Sequence, residues 1–274
     1  MLLAACAAGC AASGALIPTV ISRLPEPPPP KQSDDPEVVP EDAASATQVP
    51  TAPAKVSRSS LRPVPEFTLW GMSAVEGDKE SYRSMARLPG LLWGSVLACA
   101  ILGAIVAWRI GPEPALAVLL PVVPVGVAIA VIDWRTRLIP SRLVLPATGV
   151  VIFAAAVITV VTDDPAALTR GLVAMVLVRS FFWVLWFIRS AGMGFGDVRL
   201  SAVLGFALGF LGTGEAIVGT YAGFIVFALP GVLLTLIKRD ARLLRVPFPF
   251  GPFMLIGALL GLVFGQDVWS ALTG

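Results

Sequence analysis

Residues 115–162 read ALAVLLPVVPVGVAIAVIDWRTRLIPSRLVLPATGVVIFAAAVITVVT: an apolar run closing at Ile132, a short polar joint, and a second apolar run over 143–162. Each run is long enough to cross ~30 Å of hydrocarbon. The joint between them begins with a carboxylate, Asp133, and reaches Ile139-Pro140 through a basic stretch. Proline lacks a backbone donor, suits the first turn of a helix and pushes the residue before it toward extended geometry. The chain therefore turns here and restarts as a new helix, which leaves Asp133 at a helix end beside a tight re-entry.

The same alternation continues in both directions. Apolar candidates fall at 2–22, 88–108, 115–132, 143–162, 168–188, 200–212, 216–237 and 251–268, the sixth being short for a span. The 274 residues are 56% hydrophobic and 14% charged, with a mean hydropathy of +0.83. This is far more apolar than the ~45–50% of soluble domains. The expected fold is all-α, a polytopic bundle of about eight transmembrane helices. Three parts are expected: a first span over 1–23, a Pro-rich cytoplasmic loop over 24–87 with too little periodic apolar content to pack, and a membrane-embedded domain over 88–274.

A net charge of +2 without a clustered basic patch argues against a nucleic-acid partner. No histidine occurs, so acid-base chemistry falls to carboxylates, arginine-polarised groups or water. The three cysteines, Cys6, Cys10 and Cys99, lie within apolar runs and read as small buried side chains; neither a metal nor a cofactor is expected.

Lysine and arginine set the orientation. With the amino terminus outside, the inner joints collect Arg135, Arg137, Arg142, Arg189, Arg199 and Lys238 among others, while the outer joints hold Arg109 and Arg170 among five acids. The positive-inside rule then places Asp133 and Asp197 at the cytoplasmic face. An acid at the mouth of a membrane helix is costly to keep, so the pair reads as chemistry or ion handling before it reads as structure. Gly192, Gly194 and Gly196 lead into Asp197, and a backbone without side chains allows a second chain to lie close.

Three motifs carry a resemblance: D-x5-I-P at Asp133 to Pro140, G-x-G-D-x-[KR]-L at Gly194 to Leu200, and PFPFGPF at Pro247 to Phe253. Their order and spacing over residues 88–265 resemble the type IV prepilin peptidase family, the bacterial GxGD intramembrane aspartyl proteases. The resemblance implies an eight-span aspartic endopeptidase of the inner (cytoplasmic) membrane. It would cleave the leader of type IV prepilin or pilin-like precursors at the cytoplasmic face, with pilus or secretion assembly proteins as further partners and lipid as surroundings. Carried onto this chain, the catalytic residues are Asp133 and Asp197; Gly194, Gly196, Arg199 and Pro140 shape the site or bind substrate. Bifunctional members carry paired CxxC motifs in the first cytoplasmic loop, associated with methylating the new pilin amino terminus. Residues 24–87 hold no cysteine, so the resemblance extends to the peptidase and not to methyl transfer.

Two carboxyls brought close together cannot both ionise cheaply and share one proton. The ionised member takes a proton from water, and the protonated member hydrogen-bonds the carbonyl under attack. Helix dipoles single out Asp197, at a helix start, as the more readily ionised, with Asp133 at a helix end. Gly205-x3-Gly209, Gly219-x3-Gly223 and Gly257-x3-Gly261 read as helix-packing faces. Arg179 falls in mid-span, where a charge calls for a partner or water. A proton- or cation-coupled transporter using Asp133 and Asp197 is the rival reading, and a silent membrane scaffold a further one.

Overall fold

The computed structural model describes residues 1–26, 81–188, 193–238 and 249–274. Most of the expected loop 24–87, the residues Gly192, Arg189, Pro247 and Phe248, and several of the basic joint residues lie outside them. The described helices belong to one compact unit, Met1–Leu24 with Asp78–Gly274, and no strand occurs among the described residues.

The first apolar run is two helices, α1 (Leu2–Gly14) and α2 (Ile17–Ser22), with Pro18 in the first turn of α2. Next come α3 (Tyr82–Ala86) and α4 (Leu91–Ile110). α3 falls inside the stretch read from sequence as unpacked loop. Tyr82 and Met85 are buried, and the helix packs against α2. Two reciprocal contacts seat α1 on α4: a Cβ on Gly103 would meet Cys10 Sγ at 2.7 Å, and one on Gly14 would meet Cys99 Sγ at 3.1 Å. Cys10 and Cys99 thus fill helix-packing positions as small apolar groups.

The two runs of 115–162 become α5 (Leu116–Leu119), α6 (Val122–Thr136) and α7 (Ser141–Thr162). α7 closes on Asp163 in the left-handed region, φ 53°. Asp164 then accepts from Ala166 N at 3.1 Å, an N-cap for α8 (Pro165–Ile188). After it follow α9 (Phe195–Leu211), α10 (Thr213–Lys238) and α11 (Gly251–Thr273).

Six helical stretches among the described residues are long and apolar enough to cross a membrane: 2–22, 91–110, 116–136, 141–162, 165–188 and 251–273. The eight spans read from sequence are not all reproduced on this criterion. α9 has only 17 residues, whereas α10 runs for 26, Thr213–Lys238. α9 begins five residues before the expected 200 and is a core helix rather than a lipid-facing one. Thirteen of its residues, Asp197 among them, are buried.

Small residues make that burial possible. A Cβ on Gly209 would collide with Ala174 Cβ, and one on Gly205 would stand 2.9 Å from Val178 Cβ, so α8 presses directly on the α9 backbone. Gly257 against Gly223, and Gly261 against Gly219, bring α10 and α11 equally close. The three glycine pairs thus serve helix packing, as their spacing suggests. Arg170 of α8 closes the far end of α9. Its Nε donates to Gly209 O at 2.9 Å and its Nη2 to Phe210 O at 2.8 Å and Leu211 O at 3.0 Å. Arg179 lies exposed on α8 and makes no hydrogen bond or ion pair among the described residues.

Candidate active site

Asp133 sits one turn from the end of α6, and it is 3% exposed. The helix ends because Arg137 adopts φ 54°, an unusual conformation for a residue with a Cβ, and returns its N–H to Asp133 O at 2.8 Å. Thr136 Oγ1 donates to Ile132 O and accepts from Leu138 N, which fixes the exit path. Pro140 is the extended N-cap of α7, φ −70° and ψ 121°, so the D-x5-I-P motif is a helix end, a tight turn and a helix start.

Asp197 occupies the third position of α9, the helix whose N-cap is Gly194. Its Oδ2 accepts from Gly194 N at 3.0 Å, the acidic half of a capping box. Its Oδ1 is buried and has no hydrogen-bond partner among the described residues. A buried carboxylate oxygen left unpaired costs free energy.

The two acids meet around Ile139. A Cβ on Gly196 would stand 2.7 Å from Ile139 Cβ and 3.2 Å from its carbonyl oxygen. On the other side, a Cβ on Gly251 would meet Asp133 Oδ2 at 2.7 Å and Ile139 Cδ1 at 3.2 Å. Glycine is therefore required at 196, where the neighbour is the Ile139 backbone and Cβ, while at 251 a side chain would displace the Asp133 carboxylate. At Gly194 the nearest atom would be Asp197 Oδ2 at 3.6 Å, ordinary contact, so nothing steric demands glycine there. The charge of Asp133 is within Coulombic reach of Asp197.

Gly251 is the residue that sequence reading missed. PFPFGPF reads from sequence as an indirect, site-shaping loop, yet Gly251 N donates directly to Asp133 Oδ2 at 2.9 Å. The signal was its glycine at the start of an apolar run. Phe250 beside it is locked by Phe224 at 5.2 Å and Phe227 at 4.9 Å between ring centroids, which aims the first turn of α11 at Asp133. This contact also removes the asymmetry expected from helix dipoles, because each acid accepts an N–H at a helix start.

Arg199, one turn into α9, donates through Nη1 to Ser141 Oγ, directly after Pro140. Its guanidinium lies 4.9 Å over the Phe195 ring. It thus ties the helix of Asp197 to the turn that follows Asp133. No group of three or more metal-ligating side chains occurs among the described residues.

A family model described as the type IV leader peptidase family matches residues 120–266. Among curated proteins, the prepilin leader peptidase/N-methyltransferase of Pseudomonas putida is 28% identical over 178 residues, 64% of this chain and 59% of that protein. The protein of the same name from Bacillus subtilis (strain 168) is 31% identical over 144 residues, covering 53% and 54% of the two chains. That from Dickeya chrysanthemi is 30% identical over 184 residues, covering 64% and 54%. The chain thus spans less than two thirds of the length of these relatives. No solved structure matches.

Proposed function

The chain belongs to the type IV leader peptidase family, and from that premise we propose that it is a membrane-embedded aspartic endopeptidase that removes the leader from prepilin-like precursors. The observation that carries the reading is the pair of buried carboxylates on either side of Ile139. Each is oriented by the backbone N–H of a glycine at a helix start.

In this reading Asp133 and Asp197 share one proton. The ionised member of the pair takes a proton from water as the water oxygen attacks the scissile carbonyl carbon. The protonated member donates to the carbonyl oxygen as negative charge builds there. Collapse of the tetrahedral intermediate breaks the C–N bond, and the proton gained from water passes to the leaving amine. Gly194, Gly196, Pro140 and Arg199 hold the framework: Gly194 orients Asp197 through its N–H, Gly196 admits Ile139 against α9, and the others fix the turn facing it. By the positive-inside argument, the site faces the cytoplasm of a cytoplasmic-membrane protein. The proposal covers leader cleavage only, since residues 24–87 lack cysteine.

Co-expression with a prepilin-like precursor tests it. The wild-type chain clips the leader, whereas Asp133→Asn and Asp197→Asn, which keep size but remove the shared proton, leave it intact. Clipping by both variants would overturn the mechanism. Ion uptake that depends on the same residues, without cleavage, would favour the transporter.

A further inference from the structure

Three hollows adjoin along one side of the bundle, where α4 packs chiefly on α1 and more sparsely on α6 and α11. The first, about 420 Å³, is bordered by Leu91, Trp134, Arg135 and Pro252 beside the acid site. It shares Ala130, Val131 and Pro252 with the second, about 410 Å³, lined entirely by apolar side chains and a glycine. The second shares Leu262 with the third, about 560 Å³, at the far end of the bundle.

One helix face runs the whole way. On α4, Leu91 borders the first hollow, Ala98, Leu102 and Val106 the second, and Arg109 the third. Spacings of seven, four, four and three put these five on one side of the helix. α4 has 20 residues, about 30 Å at 1.5 Å per residue, the depth of the hydrocarbon core.

The polarity of the crevice changes along its length. The middle holds no charged or polar side chain. The far end holds Arg109, Glu113, Asp164, Arg170 and Glu215. Glu215 is nine-tenths buried there, and its Oε2 has no hydrogen-bond partner among the described residues. The near end holds Arg135, two residues from Asp133. A phospholipid has one polar end and covers one leaflet; a crevice of full bilayer depth, apolar in the middle and polar at both ends, has the pattern of a single membrane-crossing peptide helix.

We propose that this crevice between α4, α6 and α11 seats the membrane-crossing helix of the substrate, a proposal that rests on the peptidase reading above. Seated there, the helix brings its cytoplasmic end to Trp134 and Pro252, next to Asp133 and Gly251. Its outer end meets the charged cluster of Arg109, Glu113, Asp164 and Arg170. Substrate choice then rests on the fit of an apolar helix along α4 as well as on the residues at the cleaved bond.

The test compares two substrates, an intact precursor and a soluble peptide holding only its leader and cleavage junction. Ala98→Trp fills the crevice, and Leu97→Trp places the same bulk on the neighbouring exposed face of α4. Ala98→Trp is expected to lower kcat/KM for the intact precursor at least tenfold and to leave the soluble peptide unaffected; Leu97→Trp changes neither. Cleavage of the intact precursor at the wild-type rate by Ala98→Trp overturns the crevice and spares the peptidase reading. A wild-type chain that cuts neither substrate sinks both. Should Ala98→Trp lose both activities, a photo-crosslinker at Leu102 decides. Adducts with the membrane segment of the precursor support the proposal, and adducts with lipid alone overturn it.

Discussion

The Gly251 N–H reaches Asp133 Oδ2 at 2.9 Å across 118 residues of chain, joining the first turn of α11 to the last turn of α6. A Cβ at position 251 would lie 2.7 Å from that same oxygen. Gly251→Ala must therefore push the carboxylate away or move the helix start. Overpacking of this kind costs about 1–3 kcal/mol. Leader cleavage should fall at least tenfold, with a lowered Tm in detergent, and a variant as active as wild type would refute the contact.

Gly196→Ala meets Ile139 at its Cβ, 2.7 Å away, rather than at the tip of its side chain. Trimming the partner therefore gives no relief. The double variant Gly196→Ala/Ile139→Ala should be no more active than Gly196→Ala alone, measured as leader cleavage in membranes. Restoration by the second change would mean that the two backbones are further apart than described.

Stability and activity should separate at Asp197. Its buried Oδ1 has no partner among the described residues, so the folded chain bears the desolvation of an incompletely paired carboxylate. Asp197→Asn keeps an acceptor for Gly194 N and removes the charge. Its Tm should equal or exceed that of wild type while cleavage is lost. A marked drop in Tm would identify the carboxylate as structural.

Arg199 and Ser141 form one link between α9 and α7. Each single change to alanine should slow cleavage, and the double variant should lose less than the sum, with a coupling of about 0.5–3 kcal/mol. Arg199→Lys should recover part of the loss, because lysine keeps a donor for Ser141 but not the planar fork that lies over Phe195. Strict additivity would show that the link does not serve the site.

Much of this arrangement is legible in the sequence, and the remainder has definite physical reasons. Apolar runs announce α4, α6, α7 and α8 because a span must be apolar along its whole length. Asp133 and Asp197 stand out because acids are rare at such ends, and Pro140 marks the turn because its ring fixes the backbone. Contacts between distant segments leave no local trace. Ile139 belongs to the D-x5-I-P motif, yet nothing in that motif signals that it lies against both Gly196 and Gly251. The break of the first run at Ala15 and Leu16 escapes hydropathy, since both halves are equally apolar. The burial of α9 escapes it as well: periodicity cannot tell a helix surrounded by protein from one surrounded by lipid when both environments are apolar.

Arg170 receives the last carbonyls of α9 on one guanidinium, and Gly205 and Gly209 let α8 grip the same helix along its length. The helix that carries Asp197 is therefore fastened at the end opposite its acid, with little freedom to slide or rotate. Asp133 is held instead by one N–H from the start of α11 and sits a turn before the Arg137 bend. Of the two carboxyls, the one on α9 has the sturdier mount.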